Sequence, residues 1–305
     1  MTCNLSNQSS SEPRVVVTSP SFGKSVFLRE ELRRSFPRCF FNERGRPLTE
    51  QELIKFIKDA DAVIVGLEPI NCRVLDQAPQ LKIISKYGVG LDNIDEESLK
   101  SRNIALGWTN GTNRRSVAEI TLCFMLGLCR NIFSAGFKLK NSAWEKNGGW
   151  QLTGKTVGII GCGHTGSEVV RLLEPLHCTL LVRDIIDKSE FCQRYNATQV
   201  SLEEVTTQSD LISFHVPLTP ETQGMVNMNF LHQMKTTAFL INTSRGGVVD
   251  QPALKEALKQ GDIAGAALDV FAEEPPTDQE FLSLPNLMVT PHIGGNAKEA
   301  VEAMG

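Results

Sequence analysis

The sequence contains no CxxC pair, no long unbroken apolar run, no internal repeat and no excess of basic charge. Each absence closes off a class of function. Eight cysteines stand singly at 3, 39, 72, 123, 129, 162, 178 and 192, mostly inside apolar stretches, as buried free thiols do. That scatter argues against a disulfide framework and a zinc site, so no metal is expected and the compartment is read as reducing and cytoplasmic. The opening MTCNLSNQSSSEPR lacks an apolar signal core and reads as a frayed polar tail. Val117 to Phe133, the longest apolar stretch, is short and interrupted by Glu119 and Arg130, which predicts a buried helix rather than a membrane span. Net charge is −4 over 305 residues and neither half is strongly basic, so neither nucleic acid nor membrane is expected as a partner.

What is present is enough apolar residue, 41%, to fill two cores. From Arg14 onward short apolar runs alternate with helix-like ones: RVVVTS, DAVIVGL, LKIISKYG and IALGW, with SVFLREELRRSF, TEQELIKFIKDA and IDEESLKSRN among them. Continuous apolar strands between helices predict a parallel sheet covered on both faces. The pattern breaks at TNGTNRRS, where Asn110, Gly111 and Asn113 read as a hinge, and a long helix from Ser116 to about Phe133 follows. A second series begins at Lys155, with strands KTVGIIG, CTLLVRD, DLISFHV, AFLINTS, IAGAALDV and LMVTPHIGG. The expectation is α/β: two doubly wound domains in tandem, the second with six strands.

The second series opens on GIIGCGHTGSEVVRLL. Gly161 suits a tight turn, Gly163 the approach of a backbone to pyrophosphate, and Gly166 close packing of a helix expected from Thr165 to Leu176. The helix N-terminus then offers unpaired N–H groups and partial positive charge to phosphate. The next strand ends in Asp184, 18 residues past Gly166, where a carboxylate can bond both ribose hydroxyls and repel a 2′-phosphate. NAD is therefore favoured, although Arg183 beside it could tolerate NADP. Ligands of such sheets lie beyond the C-terminal strand ends, and three of the later ends carry an ionisable residue next to Gly or Pro: Arg245, Glu274 and His292. Arg245 could pair with a carboxylate in two-point fashion. Glu274 beside His292 would raise the imidazole pKa, as a general acid/base near neutral pH needs. Singly, each could be an ordinary surface residue. At successive ends of one sheet, that reading loses most of its weight.

TGKTVGIIGCGHTG, HVPLTPET, INTSRGGVVD, GAALDVFAEEPP and TPHIGG, with KYGVGLDNID and NRRSVAE upstream, resemble the D-isomer-specific 2-hydroxyacid dehydrogenases, the family that includes phosphoglycerate dehydrogenase. The resemblance runs from about Arg14 to the end. It implies a Rossmann NAD-binding domain (113–294) inserted into a flavodoxin-like substrate domain (1–112, with 295–305 returning toward it). It implies Arg245, Glu274 and His292 as the catalytic set, and Lys86, Val89 and Gly90 with Arg245 and His292 as contacts of a 2-hydroxy or 2-oxo acid. NAD would touch Gly161, Gly163, His164, Thr165, Gly166, Asp184, His215, Val216, Pro217, Thr222, Thr243, Ser244, Asp269 and Gly294, with Asp269 on the nicotinamide amide. Lys86, Arg114 and Arg115 are candidates to hold a second anionic group such as a phosphate. A homodimer through the long helix, involving Leu122, Met125 and Leu126, is also implied. Thr165 departs from the aliphatic residue usual in the glycine loop. Family chains usually continue past the helix after TPHIGG, so this one, ending at Gly305, is expected to fall short of that return. The rival reading is a non-enzymatic NAD(H)-sensing module of the corepressor type, which keeps the same residues but turns over no acid.

Overall fold

Short runs of valine, isoleucine and leucine become strands whose two faces feed two different cores. A computed structural model describes residues 12–305 of the chain; Cys3 and most of the polar opening segment lie outside them. The chain divides into two compact units, one running up to Asn113 and taking in Lys298–Gly305, the other Arg114–Ala297.

In the first unit the elements follow as β1 (Val15–Val17), α1 (Pro20–Lys24), α2 (Val26–Ser35), β2 (Cys39–Phe41), α3 (Glu50–Ile57) and β3 (Ala62–Val65). Then come α4 (Cys72–Asp76), β4 (Ile83–Lys86), α5 (Glu96–Ser101) and β5 (Ala105–Gly107). The five strands are all parallel in the order β2-β1-β3-β4-β5, the flavodoxin arrangement. Alternation along β1 sends Val16 into one core with Leu53, Ile57 and Ile84, and Val17 into another with Phe22, Leu28 and Tyr87. Each such fully buried aliphatic side chain contributes roughly 1.5–3 kcal/mol. Thr49 and Glu52 close a reciprocal cap at the start of α3.

The second unit starts with α6 (Arg114–Cys129) and α7 (Ile132–Lys140), then β6 (Thr156–Ile160), α8 (His164–Leu173), β7 (Thr179–Arg183), α9 (Ser189–Arg194) and β8 (Ala197–Gln199). It continues with α10 (Leu202–Gln208), β9 (Leu211–Phe214), α11 (Met228–Gln233), β10 (Phe239–Asn242) and α12 (Gln251–Gln260). β11 (Gly265–Leu268), α13 (Gln279–Leu282) and β12 (Leu287–Val289) complete it, and α14 (Lys298–Met304) belongs to the first unit, where Val301 and Met304 pack near Leu28. The seven strands are parallel in the order β12-β11-β10-β9-β6-β7-β8. The sequence order reverses across the β6–β9 pair, the switch point at which such sheets bind ligands. Both faces are covered: Val157 and Ile159 go to one core, Ile160, Ile212 and Phe214 to the other.

Three expectations are corrected. The second sheet has seven strands rather than six, because β8 forms from three residues at an edge. The long helix breaks after Cys129, where Asn131 adopts a left-handed φ of 53°, and α7 leaves at 66°. The glycine-loop helix ends at Leu173 and tightens into a single turn through Leu176. Among the described residues no single helix is long and apolar enough to cross a membrane.

Candidate active site

The glycine loop after β6 uses its three glycines differently. Gly161 has φ 90°, and a Cβ there would lie 2.6 Å from the carbonyl oxygen of His215. At Gly166 a Cβ would sit 2.0 Å from Gly161 O, so α8 can rest on the loop only through glycine. Gly163 is exposed, with nothing within 4 Å of its Cβ position. It also starts α8 without a side-chain cap, whereas Ser25, Thr49 and Asp250 cap α2, α3 and α12. The first-turn N–H groups of α8 therefore stand with their partial positive charge beside open space, which fits a pyrophosphate. His164 and Thr165 occupy that same first turn.

Asp184, at the end of β7, accepts hydrogen bonds from Cys162 N–H at 2.7 Å and Ile186 N–H at 2.9 Å, which fastens it to the glycine loop. Arg183 turns its guanidinium onto the carbonyl of Asp184 at 2.6 Å. Ile185 and Ile186 follow, 92% and 62% exposed, an apolar surface of the kind a purine covers. After β9, His215 Nε2 lies 3.0 Å from Ser213 Oγ, and desolvation pushes the imidazole down to about 3, so the ring is neutral. The segment His215, Val216 and Pro217 then turns, with Thr222 Oγ1 donating to Pro217 O at 2.6 Å.

The ends of β10, β11 and β12 form one cluster. Asn242, fully buried at the end of β10, accepts from the N–H and the hydroxyl of Ser244 and donates to Arg245 O at 2.8 Å. A Cβ at Gly246 would fall 1.9 Å from the Phe271 carbonyl carbon, so the Arg245 turn lies backbone to backbone on the segment after β11. Thr243 shares a hydrogen bond with Thr121 of α6 at 2.9 Å. Glu274 accepts from Phe271 N–H at 3.0 Å and lies 2.7 Å from His292 Nδ1. His292 itself has φ 52°, a strained setting that its neighbours hold in place. Asp269, 1% exposed, accepts from Thr290 Oγ1 and from the N–H groups of Ile293 and Gly294, at 2.5, 2.8 and 2.7 Å. Its carboxylate, which the resemblance assigns to the nicotinamide amide, bonds the histidine loop. Ser116 of α6 donates to Gly294 O on the same loop.

The charges follow from this packing. The hydrogen bond to Glu274 raises the His292 pKa; desolvation and the positive charge of Arg245 oppose the rise, and the charges of Glu274 and Asp269 add to it. Desolvation works to raise Glu274, but the hydrogen bond to His292, that from Phe271 and the charges of His292 and Arg245 outweigh it and hold the carboxyl low. With Nδ1 occupied by Glu274, Nε2 on the far side of the ring is the nitrogen placed to exchange a proton.

In the first unit Lys86 closes β4 and is 8% exposed, with its ammonium donating to Gly66 O and to Asn93 Oδ1. Val89 O accepts from Trp108 Nε1 at 3.1 Å, and Gly90 follows it in the same loop. Arg115 bonds Glu119 and Glu168, and Arg114 lies 4.0 Å from Glu168. The expected interface set divides: Met125 is fully buried in the core and cannot meet a partner, while Leu126 is 36% exposed. Helical spacing puts Met125 on the inward face with Thr121 and Leu128. Sequence reading missed Asn242, Asn93, Thr290 and Ser116, each of which hydrogen-bonds a candidate site residue. A buried asparagine closing the apolar run AFLIN was the one available signal.

A family model described as D-isomer specific 2-hydroxyacid dehydrogenase, NAD binding domain, matches residues 122–294. The chain is 36% identical over 296 residues to the D-3-phosphoglycerate dehydrogenase of Methanocaldococcus jannaschii, covering 96% of this chain but only 55% of that protein. It is 38% identical over 272 residues to the glyoxylate reductase of Pyrococcus furiosus, covering 86% and 81% of the two chains. The solved D-lactate dehydrogenase of Aquifex aeolicus, complexed with NAD and lactic acid, superposes with a TM-score of 0.82 at 27% identity, over 95% of this chain and 91% of that one.

Proposed function

This chain belongs to the D-isomer-specific 2-hydroxyacid dehydrogenase family, and from that premise we propose that it is an NAD-dependent oxidoreductase interconverting a small 2-hydroxy acid and its 2-oxo acid. The observation that carries the reading is the Glu274–His292 pair at 2.7 Å beside Arg245, on the same sheet as an open-faced glycine loop. In this reading residues 113–294 bind the nucleotide, with Gly161, Gly163 and Gly166 at the pyrophosphate and Asp184 at the ribose. Bound NADH supplies the hydride that reaches C2 of the oxo acid. Arg245 holds the substrate carboxylate and stabilises charge on the reacting oxygen. His292, kept protonated by Glu274, delivers the proton that turns that oxygen into hydroxyl; in oxidation the neutral ring takes it back. Asp269 fixes the loop that carries His292.

The seven described cysteines are unpaired, which supports a reducing, cytoplasmic setting. The outer face of α6 and α7 supports a homodimer, with Leu126, Ile132, Phe133, Phe137 and Leu139 all exposed. The sensor reading has no observation of its own in its favour.

The test is loss of nicotinamide absorbance with NADH and NADPH in parallel against a panel of 2-oxo acids. Turnover with NADH preferred is expected, and His292→Ala should lower kcat by roughly 10²–10⁴ while NADH still binds. Tight NADH binding without turnover of any acid would overturn the enzyme reading in favour of the sensor.

A further inference from the structure

The loop that carries His292 keeps an unfavourable shape, and two elements anchor it. His292 sits at φ 52°, with its own N–H donating to Thr290 O at 3.0 Å. Backbone in that region relaxes unless its surroundings hold it. Asp269, just past β11, is the first anchor: it accepts from Thr290 Oγ1 and from the N–H groups of Ile293 and Gly294. None of these bonds reaches the Gly294 carbonyl or the residues after it. The second anchor comes from α6. Ser116, in its first turn, donates to Gly294 O at 2.5 Å and accepts from Ala297 N–H at 3.4 Å. Ile120, one turn along on the same face, lies against the same glycine. A Cβ at Gly294 would fall 3.4 Å from Ile120 Cγ2 and 2.7 Å from Asp269 Oδ2. Gly294 is thus held through its N–H by Asp269 and through its C=O by the helix. The residue is buried, so its carbonyl would find no ready replacement for the hydroxyl in water.

Ser116 also stands at a particular place in the chain. The second unit runs from Arg114 to Ala297, so the serine belongs to its first turn and the bond from Ala297 N–H comes from its last residue. One hydroxyl therefore joins both ends of the unit at the histidine loop. The rest of α6 is fixed within the same unit by other polar contacts: Arg115 bonds Glu168 of α8 at 3.0 Å, and Thr121 shares its hydrogen bond with Thr243, two residues before Arg245, at 2.9 Å. The helix is a fixed support on which the loop can be set.

We propose that Ser116 is a positioning residue for the general acid: its hydroxyl fixes the Gly294 carbonyl to α6 and so keeps His292 in the setting where Glu274 takes Nδ1. The inference rests on the dehydrogenase reading and adds to it a residue that acts through the histidine. Without the hydroxyl, the loop past Ile293 loses its polar hold on the helix, and the ring spends less time against Glu274. A misplaced proton donor slows the chemical step while the cofactor and the acid still bind.

The experiment is reduction of glyoxylate, pyruvate and hydroxypyruvate with NADH by the full chain and by Ser116→Ala, with kcat, KM, the pH profile of kcat, NADH affinity and Tm measured for each. Ser116→Thr keeps a hydroxyl and Ser116→Val has the same shape without one, so that pair reads the hydroxyl even if the alanine variant does not fold. For the acid the parent reduces fastest, Ser116→Ala should lower kcat by about tenfold, with KM and NADH affinity within about threefold of the parent. The fall of kcat with rising pH should move back toward the ordinary histidine range, because the ring is less often paired with Glu274. Tm should drop by no more than about 4 °C. Ser116→Thr should recover most of the lost rate, and Ser116→Val should not. A parent-like kcat and pH profile in Ser116→Ala would overturn the proposal and leave Asp269 as a sufficient anchor. Matching losses of kcat, NADH affinity and Tm with an unmoved pH profile would overturn it too, making the serine a support of the fold alone. Both outcomes leave the dehydrogenase reading intact. No turnover of any acid by the parent would overturn that reading and this inference with it.

Discussion

His292 and Glu274 each perturb the other, and the signs fix a pH dependence. The His292 pKa is raised above 6.5 in the folded chain, so its contribution to stability is full below that value and is lost as pH rises through the raised pKa. Glu274 is lowered below 4.5, so its contribution is full above 4.5 and is lost as pH falls through the lowered pKa. The pair therefore stabilises the fold fully between 4.5 and 6.5. For activity the same shift means that reduction of an oxo acid, which needs the imidazolium, should decline only above the ordinary histidine range, while oxidation rises there. Glu274→Gln removes the largest cause of the shift. Its reduction profile should fall off at lower pH than the parent's, and kcat near neutrality should drop by about tenfold or more. Profiles of kcat against pH in both directions measure this; an unmoved limb would show that Glu274 does not charge His292. The identity of this pair was legible in the sequence because both residues sit beside Pro or Gly at strand ends. The hydrogen bonds of Asp269 were not legible: its partners Thr290, Ile293 and Gly294 lie more than twenty residues away, and only the fold brings them together.

At the scale of the element, the glycine loop separates packing from binding. Gly166→Ala would drive a methyl to within 2.0 Å of Gly161 O, so α8 must shift off the sheet, at a cost of about 1–3 kcal/mol of stability. Gly163→Ala meets nothing within 4 Å, but its backbone at φ −81° and ψ −148° lies outside the β and α regions, so it should lose less Tm than Gly166→Ala, through strain alone. The new methyl would instead occupy the space where the pyrophosphate approaches, and NADH affinity should fall by about tenfold or more. Thermal melting together with NADH titration of both variants is the check; equal loss of Tm in both would mean that the loop's open face is only apparent. The elements most readily read from sequence were those with long periodicity or continuous apolar runs, such as β6, β9 and α12. β2 and β8 escaped because CFF set among charged residues and the polar ATQ offer no aliphatic run, whereas the equally short edge strands β5 and β12 do. The break between α6 and α7 escaped because an asparagine can take a left-handed φ without any Gly or Pro to announce it.

Across the whole molecule, the feature that its own packing leaves unexplained is α7. Nine residues, IFSAGFKLK, form a helix of which none is buried, and a helix so short is marginal in water unless something covers its apolar side. Phe137 is 71% exposed and Leu139 54%, and the same surface continues through Ile132, Phe133 and Leu126 of α6. Trp144, shortly after the helix in sequence, is 75% exposed as well. A stable pair of chains buries on the order of 800 Å² from each partner, and a second copy of the same apolar helix is a self-complementary cover. Light scattering at micromolar concentration should therefore give twice the chain mass. Phe137→Glu should shift it to monomer while each unit keeps its fold, because a side chain that exposed contributes little to its own core. If the parent is already a monomer at those concentrations, self-association does not account for α7, and the apolar face must be covered by something other than a second copy.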